Sequence, residues 1–167
     1  MDASTLRAAQ APLKERYRAD PAAARSGTVA TGDYRDPEVT ATIDGFAGPV
    51  RAGLHPATGG DGTDACSADL LLQAVLGCAG VTLRAVATAM GVEIRSARLR
   101  ADGWWDARGT LGLDRAAPVG VQDVVVTILL DTDADDAALE RLAAATERYC
   151  VVGRSLAQPP EIRVARS

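Results

Sequence analysis

Residues 67–91 read SADLLLQAVLGCAGVTLRAVATAMG, and the run from Leu70 to Leu83 contains no charged side chain. Apolar residues lie on almost every side of the helix that this run predicts, which is typical of a helix surrounded by protein. The uncharged run is 14 residues long and is interrupted by one glutamine and two glycines. A membrane-spanning helix needs about 20 apolar residues, so we predict the central core helix of a folded domain.

Both ends of this helix carry sequence signals. Ser67 is a suitable N-cap, and Asp69 lies in the first turn, where the helix dipole favours a carboxylate. Gly91 directly follows Met90 and is a typical terminator. Residues 55–66 contain consecutive turn formers and predict a loop that leads into the helix.

The rest of the chain predicts an α+β fold. We expect an amphipathic helix over residues 1–20, three strands between 25 and 54, strands over 92–102 and 122–131 with a contribution from 104–113, a helix capped at 131–133 and ending at Cys150, and an edge strand over 161–164. This order is not the strict alternation of a parallel doubly wound sheet. We predict one domain over residues 1–167, in which 1–22 form an accessory helix.

The composition excludes several functional classes. The chain has 18 basic and 22 acidic side chains and a net charge of −4, so we expect neither nucleic acid nor an anionic membrane as a partner. The N-terminus lacks the layout of a signal peptide, which predicts a cytoplasmic protein. The chain has one histidine, His55, so we expect no metal and no other cofactor. Without a Gly-x-Ser-x-Gly motif near this histidine, a hydrolase triad is not expected.

A helix that is apolar on all sides needs more cover than the sheets of one chain provide. A second copy of the chain would supply that cover. We therefore predict a homodimer.

Two segments of the chain stand out together. The first runs from the glycine-containing loop at 59–62 into the core helix with its Gly77-Cys78 pair, and the second begins at Cys150. Both segments resemble the OsmC/Ohr family of proteins. In the second segment, Val151 and Gly153 stand where the family pattern Cys-Pro-Val-His-Arg has proline and histidine. The resemblance covers roughly residues 25–166. It implies antiparallel sheets wrapped around a long buried helix, in an intertwined homodimer with two cysteines in each interface site.

The resemblance also implies an activity, the reduction of organic hydroperoxides with a dithiol as the reductant. Cys78 would attack the hydroperoxide, and Cys150 would resolve the resulting sulfenic acid as a disulfide. Because a thiolate is the attacking form, Cys78 needs a cation or hydrogen-bond donors nearby. In the family an arginine held by a carboxylate serves this purpose, and Asp69 occupies the carboxylate position here. We predict Arg51 as the arginine, with Arg25 and Arg154 as alternatives.

Two other readings of the same residues stay open. The changes at Asp69, Val151 and Gly153 fit a dimer without enzymatic activity that binds a small apolar ligand. A redox sensor that uses the same disulfide is the other alternative. Cys66 lies at the junction of the loop and the core helix. If it shares a helix with Cys78, the two are about 18 Å of helical rise apart, and disulfides need Cα atoms within about 7 Å. These two cysteines therefore cannot pair.

Overall fold

A computed structural model describes residues 2–34 and 38–167 of the chain. Within these residues there are five α-helices and seven strands, besides two short 3-10 helices. The elements are α1 (Ala3–Ala19), β1 (Thr31–Asp33), β2 (Thr40–Asp44), β3 (Val50–Gly53), β4 (Ala65–Cys66), α2 (Ser67–Met90), β5 (Ser96–Trp104), α3 (Ala107–Thr110), β6 (Gln122–Asp131), α4 (Asp136–Tyr149), α5 (Val151–Arg154) and β7 (Glu161–Arg166). The predicted α+β class is confirmed.

The C-terminal sheet has the strand order β5-β6-β7. Strands β5 and β6 are antiparallel, with Leu99 opposite Ile128, whereas β7 runs parallel to β6 along its edge. Alternate residues of β6 are buried, as expected for a strand with one covered face. These residues are Val124, Val126, Ile128 and Leu130.

Helices α2 and α4 cover this face of the sheet. From α2 the buried side chains recur every four residues, so they form one row along the helix; they are Val75, Ala79, Leu83 and Ala87. From α4, Leu139 and Leu142 enter the same hydrophobic cluster. The core of the chain therefore lies between the C-terminal sheet and these two helices.

Among the described residues, the opposite side of α2 is covered only in part, because α1 contacts α2 but leaves some of that side open. Ala74, Gly77 and Val81 lie on that side and are exposed, with Val81 reaching 73%. Helix α2 is long and apolar enough to cross a bilayer by length and composition alone. Its buried row packs in the protein core, however, as in the core helix of a folded domain.

The N-terminal sheet has the strand order β1-β2-β3-β4. Strands β1, β2 and β3 are antiparallel neighbours, and β4 pairs with β3 in parallel. Only Thr40 and Ala52 are buried among the described residues of these strands. Phe46, in the turn between β2 and β3, is fully exposed. Among the residues that the structure describes, this sheet consequently has no hydrophobic core of its own.

Local predictions and structure differ at several points. Cys66 is the N-cap of α2, not Ser67, and it provides no side-chain hydrogen bond. Helix α4 is capped by Asp135, whose carboxylate accepts the Ala138 N–H, so the predicted caps at 131–133 were wrong. The first strand begins at Thr31 instead of residue 28, and most of the segment 104–113 forms α3 and turns. Both sheets are mixed instead of purely antiparallel, because β4 and β7 each pair in parallel.

Candidate active site

Two cysteine thiols meet where the middle of α2 contacts the junction of α4 and α5. Cys78 is half-buried on α2, and Cys150 is the buried residue between α4 and α5. Cys78 packs against the hydrophobic cluster that includes Cys150, each thiol affects the pKa of the other, and both cysteines are free thiols. The structure therefore brings together the two residues that the sequence placed on separate elements.

Cys150 is fixed by the chain reversal between the two helices. Its N–H donates to the carbonyl of Thr146, at 2.9 Å, and so ends α4. Its extended backbone then makes it the N-cap of α5, and its Sγ accepts the Gly153 N–H at 3.4 Å. The side chain is 1% exposed. One residue thus closes one helix, opens the next and holds its sulfur against α2.

Several hydrogen-bond donors surround the sulfur of Cys78. Burial raises the pKa of the Cys78 thiol, but hydrogen bonds from the Val152 N–H, the Cys150 thiol, the Thr82 hydroxyl and the Val151 N–H outweigh it. The pKa of Cys78 consequently lies below its ordinary value. Donors that point at a sulfur stabilise the thiolate over the thiol.

The environment acts in the opposite direction on the second cysteine. Burial raises the pKa of Cys150, and the neighbouring Cys78 adds to that increase, whereas the Gly153 N–H opposes it. The pKa of Cys150 lies above its ordinary value as a result. Within the pair, the proton is therefore held by Cys150, and Cys78 is the sulfur that ionises first.

The predicted arginine and carboxylate do not meet each other within one chain. Arg51 lies on β3 and forms ion pairs with Asp64, at 3.0 Å, and Glu38, at 3.8 Å. Asp69 is exposed in the first turn of α2. The groups with the largest effects on the pKa of Cys78 include neither of them. Among the described residues, the pKa of Cys78 is lowered mainly by backbone N–H groups and side-chain donors, not by the predicted arginine.

Three other residues considered in the sequence, Arg25, Arg154 and Cys66, are not among the groups that mainly affect the Cys78 thiol. Arg25 is the exposed C-cap of a 3-10 helix, and Arg154 is an exposed residue at the end of α5. Cys66 is half-buried at the start of α2, more than two turns before Cys78.

The sequence analysis missed Thr82 and the amides of α5. Thr82 follows Cys78 by four residues, which places both side chains on the same face of a helix. That spacing was a usable signal. The N–H groups of Val151 and Val152 gave no signal of their own, because every residue except proline carries such a donor.

Comparison with known protein families identifies the group to which the chain belongs. Residues 60–165 match the family described as OsmC-like protein. The chain belongs to this family. The matched region contains both cysteines and all of the donors around Cys78.

Solved structures similar to this OsmC-like protein share its fold across most of the chain. An OsmC-like protein from Mycoplasma pneumoniae is 12% identical with a TM-score of 0.67, covering 85% of this chain and 96% of the other. An organic hydroperoxide resistance protein OsmC from Legionella pneumophila is 14% identical with a TM-score of 0.64, covering 86% and 98%. The organic hydroperoxide resistance protein OhrB of Bacillus subtilis is 16% identical with a TM-score of 0.54, covering 85% and 98%.

These identities establish a common fold and no more. A comparison with curated proteins finds no match. The predicted membership of the OsmC/Ohr group and the predicted OsmC-like fold are both confirmed by the family match and these structures.

Proposed function

We propose that this OsmC-like protein is a thiol-dependent peroxidase that reduces organic hydroperoxides through Cys78 and Cys150. The observation that carries the proposal is the placement of the Cys78 thiol against the cluster that contains the buried Cys150 thiol, where donors lower the pKa of Cys78 and burial raises that of Cys150. A peroxidase of this type needs one sulfur that attacks as a thiolate and a second that stays protonated until the sulfenic acid has formed. Similar structures named as organic hydroperoxide resistance proteins support the same activity.

The first step is attack by the Cys78 thiolate on the terminal oxygen of the hydroperoxide. An S–O bond forms and the O–O bond breaks, so the sulfur is oxidised to a sulfenic acid and the hydroperoxide is reduced to an alcohol. The departing alkoxide takes a proton from solvent. The donors at Thr82, Val151 and Val152 favour the reactive anion before the step.

The second step joins the two sulfurs. Cys150 attacks the sulfur of the Cys78 sulfenic acid, an S–S bond forms, and the S–O bond breaks. The Cys150 proton leaves with the hydroxide as water. An external dithiol then returns both cysteines to thiols by disulfide exchange and is itself oxidised to a disulfide. We propose a cytoplasmic location for the protein, where thiol reductants are maintained.

The surroundings of Cys78 fit an organic hydroperoxide better than hydrogen peroxide. The exposed side of α2 next to Cys78 presents Ala74, Gly77 and Val81, which carry no polar side-chain atoms. An alkyl or aryl group held next to the sulfur between this side of α2 and a second copy of the chain would bury apolar surface, and hydrogen peroxide would not.

We also propose that the protein works as a homodimer. Val81 on α2 and Phe46 beside the N-terminal sheet are exposed apolar side chains in a single chain. Exposed apolar surface of this kind marks interaction sites. A second copy would cover the open side of α2 and provide the N-terminal sheet with the core that it lacks.

The test is the rate at which purified protein consumes cumene hydroperoxide and hydrogen peroxide in the presence of a dithiol reductant. The variants are Cys78→Ser and Cys150→Ser, and Cys66→Ser is the matched control because it removes a thiol outside the pair. We expect turnover to be lost in Cys78→Ser and retained in Cys66→Ser. Cys150→Ser should consume one equivalent of hydroperoxide and then depend on direct reduction of the sulfenic acid.

The expected preference is for cumene hydroperoxide by about tenfold or more in kcat/KM, which corresponds to about 1.4 kcal/mol in transition-state binding. Absence of turnover in the unmodified protein with either peroxide would contradict the enzymatic proposal. It would leave the reading of a ligand-binding dimer or a sensor.

A further inference from the structure

Gly153 lies in the closest surroundings of the Cys150 sulfur. It is the third residue of α5 and is buried, and its N–H donates to Cys150 Sγ at 3.4 Å. Pro160, also buried, directly precedes β7, and its ring lies close to the same glycine. The glycine therefore lies close to both the resolving sulfur and a proline ring.

No side chain fits at this position without moving a neighbour. A Cβ atom on residue 153 would lie 3.2 Å from Cys150 Sγ, 3.1 Å from Pro160 Cγ and 3.2 Å from Pro160 Cδ. All three distances are shorter than ordinary van der Waals contact. A change of ring pucker can move Pro160 Cγ, but Cδ is bonded to the backbone nitrogen and stays in place, whereas the cysteine sulfur can rotate about χ1. The sulfur is thus the atom that would be displaced.

We propose that Gly153 is a positioning residue that keeps the Cys150 sulfur directed at Cys78 for disulfide formation. The inference rests on the proposed function, in which Cys150 resolves the sulfenic acid. Glycine contributes in two ways: its N–H holds the sulfur, and its missing side chain leaves the space that the sulfur occupies. The attack of Cys78 on the hydroperoxide precedes this step and does not use Gly153.

Sulfur–sulfur bond formation is sensitive to where the second sulfur lies. The Cys150 sulfur must approach the oxidised Cys78 sulfur opposite to the S–O bond that breaks, while its proton leaves with the hydroxide as water. The geometry of the product is also narrow, because a disulfide dihedral angle lies near 90°. Rotation of the Cys150 sulfur away from Cys78 would slow this step directly. It would affect the earlier step only through the loss of one donor that lowers the pKa of Cys78, an effect that disappears at a pH where Cys78 is fully ionised.

The test is Gly153→Ala, studied in a single turnover with one equivalent of cumene hydroperoxide. At a pH above the pKa of Cys78, where loss of the Cys150 donor no longer limits the thiolate, we expect hydroperoxide consumption to stay within about twofold of the unmodified protein. Disulfide formation should slow by about tenfold or more. Dimedone trapping would then show a longer-lived sulfenic acid at Cys78. Gly27→Ala is the matched control, since Gly27 is exposed and an added Cβ there meets nothing within 4 Å.

Alanine forms helices better than glycine does. A purely local effect of Gly153→Ala would therefore strengthen α5, and slower resolution cannot be attributed to a weaker helix. Equal rates of disulfide formation in Gly153→Ala and unmodified protein would overturn the inference. An equal slowing of attack and resolution, or the same slowing in Gly27→Ala, would also overturn it.

A second oxidant separates this inference from the peroxidase proposal. Diamide oxidises two neighbouring thiols to a disulfide while its azo group is reduced to a hydrazine, and the reaction requires no peroxidase activity. We expect Gly153→Ala to slow closure of the Cys78–Cys150 disulfide with diamide as well. If hydroperoxide is not consumed but this slowing is observed, the peroxidase proposal fails and the positioning role stands.

The double variant Gly153→Ala/Pro160→Ala tests which contact matters. Removal of the proline ring leaves the added methyl group facing Cys150 Sγ alone. We expect thermal stability to recover toward that of the Pro160→Ala variant, because the Cβ-to-ring contact is gone. If the double variant regains stability but still forms the disulfide slowly, displacement of the Cys150 sulfur is supported. If the double variant forms the disulfide as fast as Pro160→Ala does, displacement of the sulfur is contradicted.

Discussion

Thr82 is one of the side chains that make the two thiols chemically different. Its hydroxyl lies one helical turn beyond Cys78 and is among the groups that lower the pKa of that thiol. A threonine hydroxyl can be removed with little change of shape by substitution with valine. The residue therefore allows the effect of a hydrogen bond on the thiolate to be measured separately from packing.

For Thr82→Val we expect slower attack on cumene hydroperoxide, by between about threefold and tenfold at a fixed pH below the midpoint, as for the loss of about 1 kcal/mol in thiolate stabilisation. The sign follows from ionisation: the attack rate increases as pH rises through the pKa of Cys78, and loss of a donor raises that pKa. The profile of attack rate against pH should shift to higher pH.

Thr88→Val is the control for this substitution, because the Thr88 hydroxyl donates to the Arg84 carbonyl of its own helix, at 2.8 Å. The profile of this variant should match that of the unmodified protein. An unchanged profile in Thr82→Val would show that the hydroxyl does not act on the thiolate.

At the scale of elements, α4 connects the hydrophobic core to the site. Leu139 and Leu142 anchor it in the core, and Cys150 ends it. Its start depends on Asp135, whose Oδ1 accepts the Ala138 N–H at 2.7 Å. The same helix therefore carries a measurable capping interaction at one end and the resolving cysteine at the other.

We expect Asp135→Ala to lower the free energy of unfolding by about 0.5–2 kcal/mol, because the Ala138 N–H loses its side-chain acceptor. Urea unfolding at one fixed protein concentration measures the change. Glu140→Ala, at an exposed position of α4, should change the stability by less than about 0.5 kcal/mol. Equal changes in the free energy of unfolding for the two substitutions would contradict a capping role for Asp135.

At the scale of the whole molecule, the uncovered surfaces lead to a prediction about assembly. We expect sedimentation equilibrium to give twice the chain mass of 17.3 kDa. Val81→Asp places a charge on the open side of α2 and should shift the equilibrium to monomer, because burial of an unpaired carboxylate is unfavourable. Glu140→Arg changes the charge on α4 and should leave the mass unchanged.

Far-ultraviolet circular dichroism of Val81→Asp distinguishes dissociation from unfolding. A mass equal to that of one chain for the unmodified protein, or a dimer that tolerates Val81→Asp, would contradict an interface on this side of α2.

The sequence was informative wherever a local pattern determines the structure. The uncharged run from Leu70 predicted α2, and the apolar run from Val124 to Leu130 predicted β6. Both predictions were possible because buried elements are marked by runs or periodic spacing of apolar residues in the sequence. Pairing of β4 and β7 in parallel was not predictable, since it depends on partners far along the chain. The N-cap at Cys66 was missed because its side chain makes no capping bond.

Prediction of the site was limited because its contacts also join residues that are far apart along the chain. Cys78 and Cys150 were selected by resemblance to a family, because nothing in their own spacing requires a contact. The ion pair between Arg51 and Asp64 joins a strand to a loop and has no periodic signal. The α5 amides that act on Cys78 belong to the backbone, so no residue type reveals them.

The contact between Cys78 and Cys150 also has a topological consequence. A bond between the two sulfurs would tie the chain into a covalent ring of about 70 residues that includes β5, β6 and α4. Such a ring reduces the entropy of the unfolded chain, which stabilises the oxidised protein by about 4 kcal/mol in the loop-closure treatment. We expect the oxidised form to melt at a higher temperature than the reduced form, and Cys150→Ser to show no such difference. The melting temperature would then report whether the Cys78–Cys150 disulfide is present.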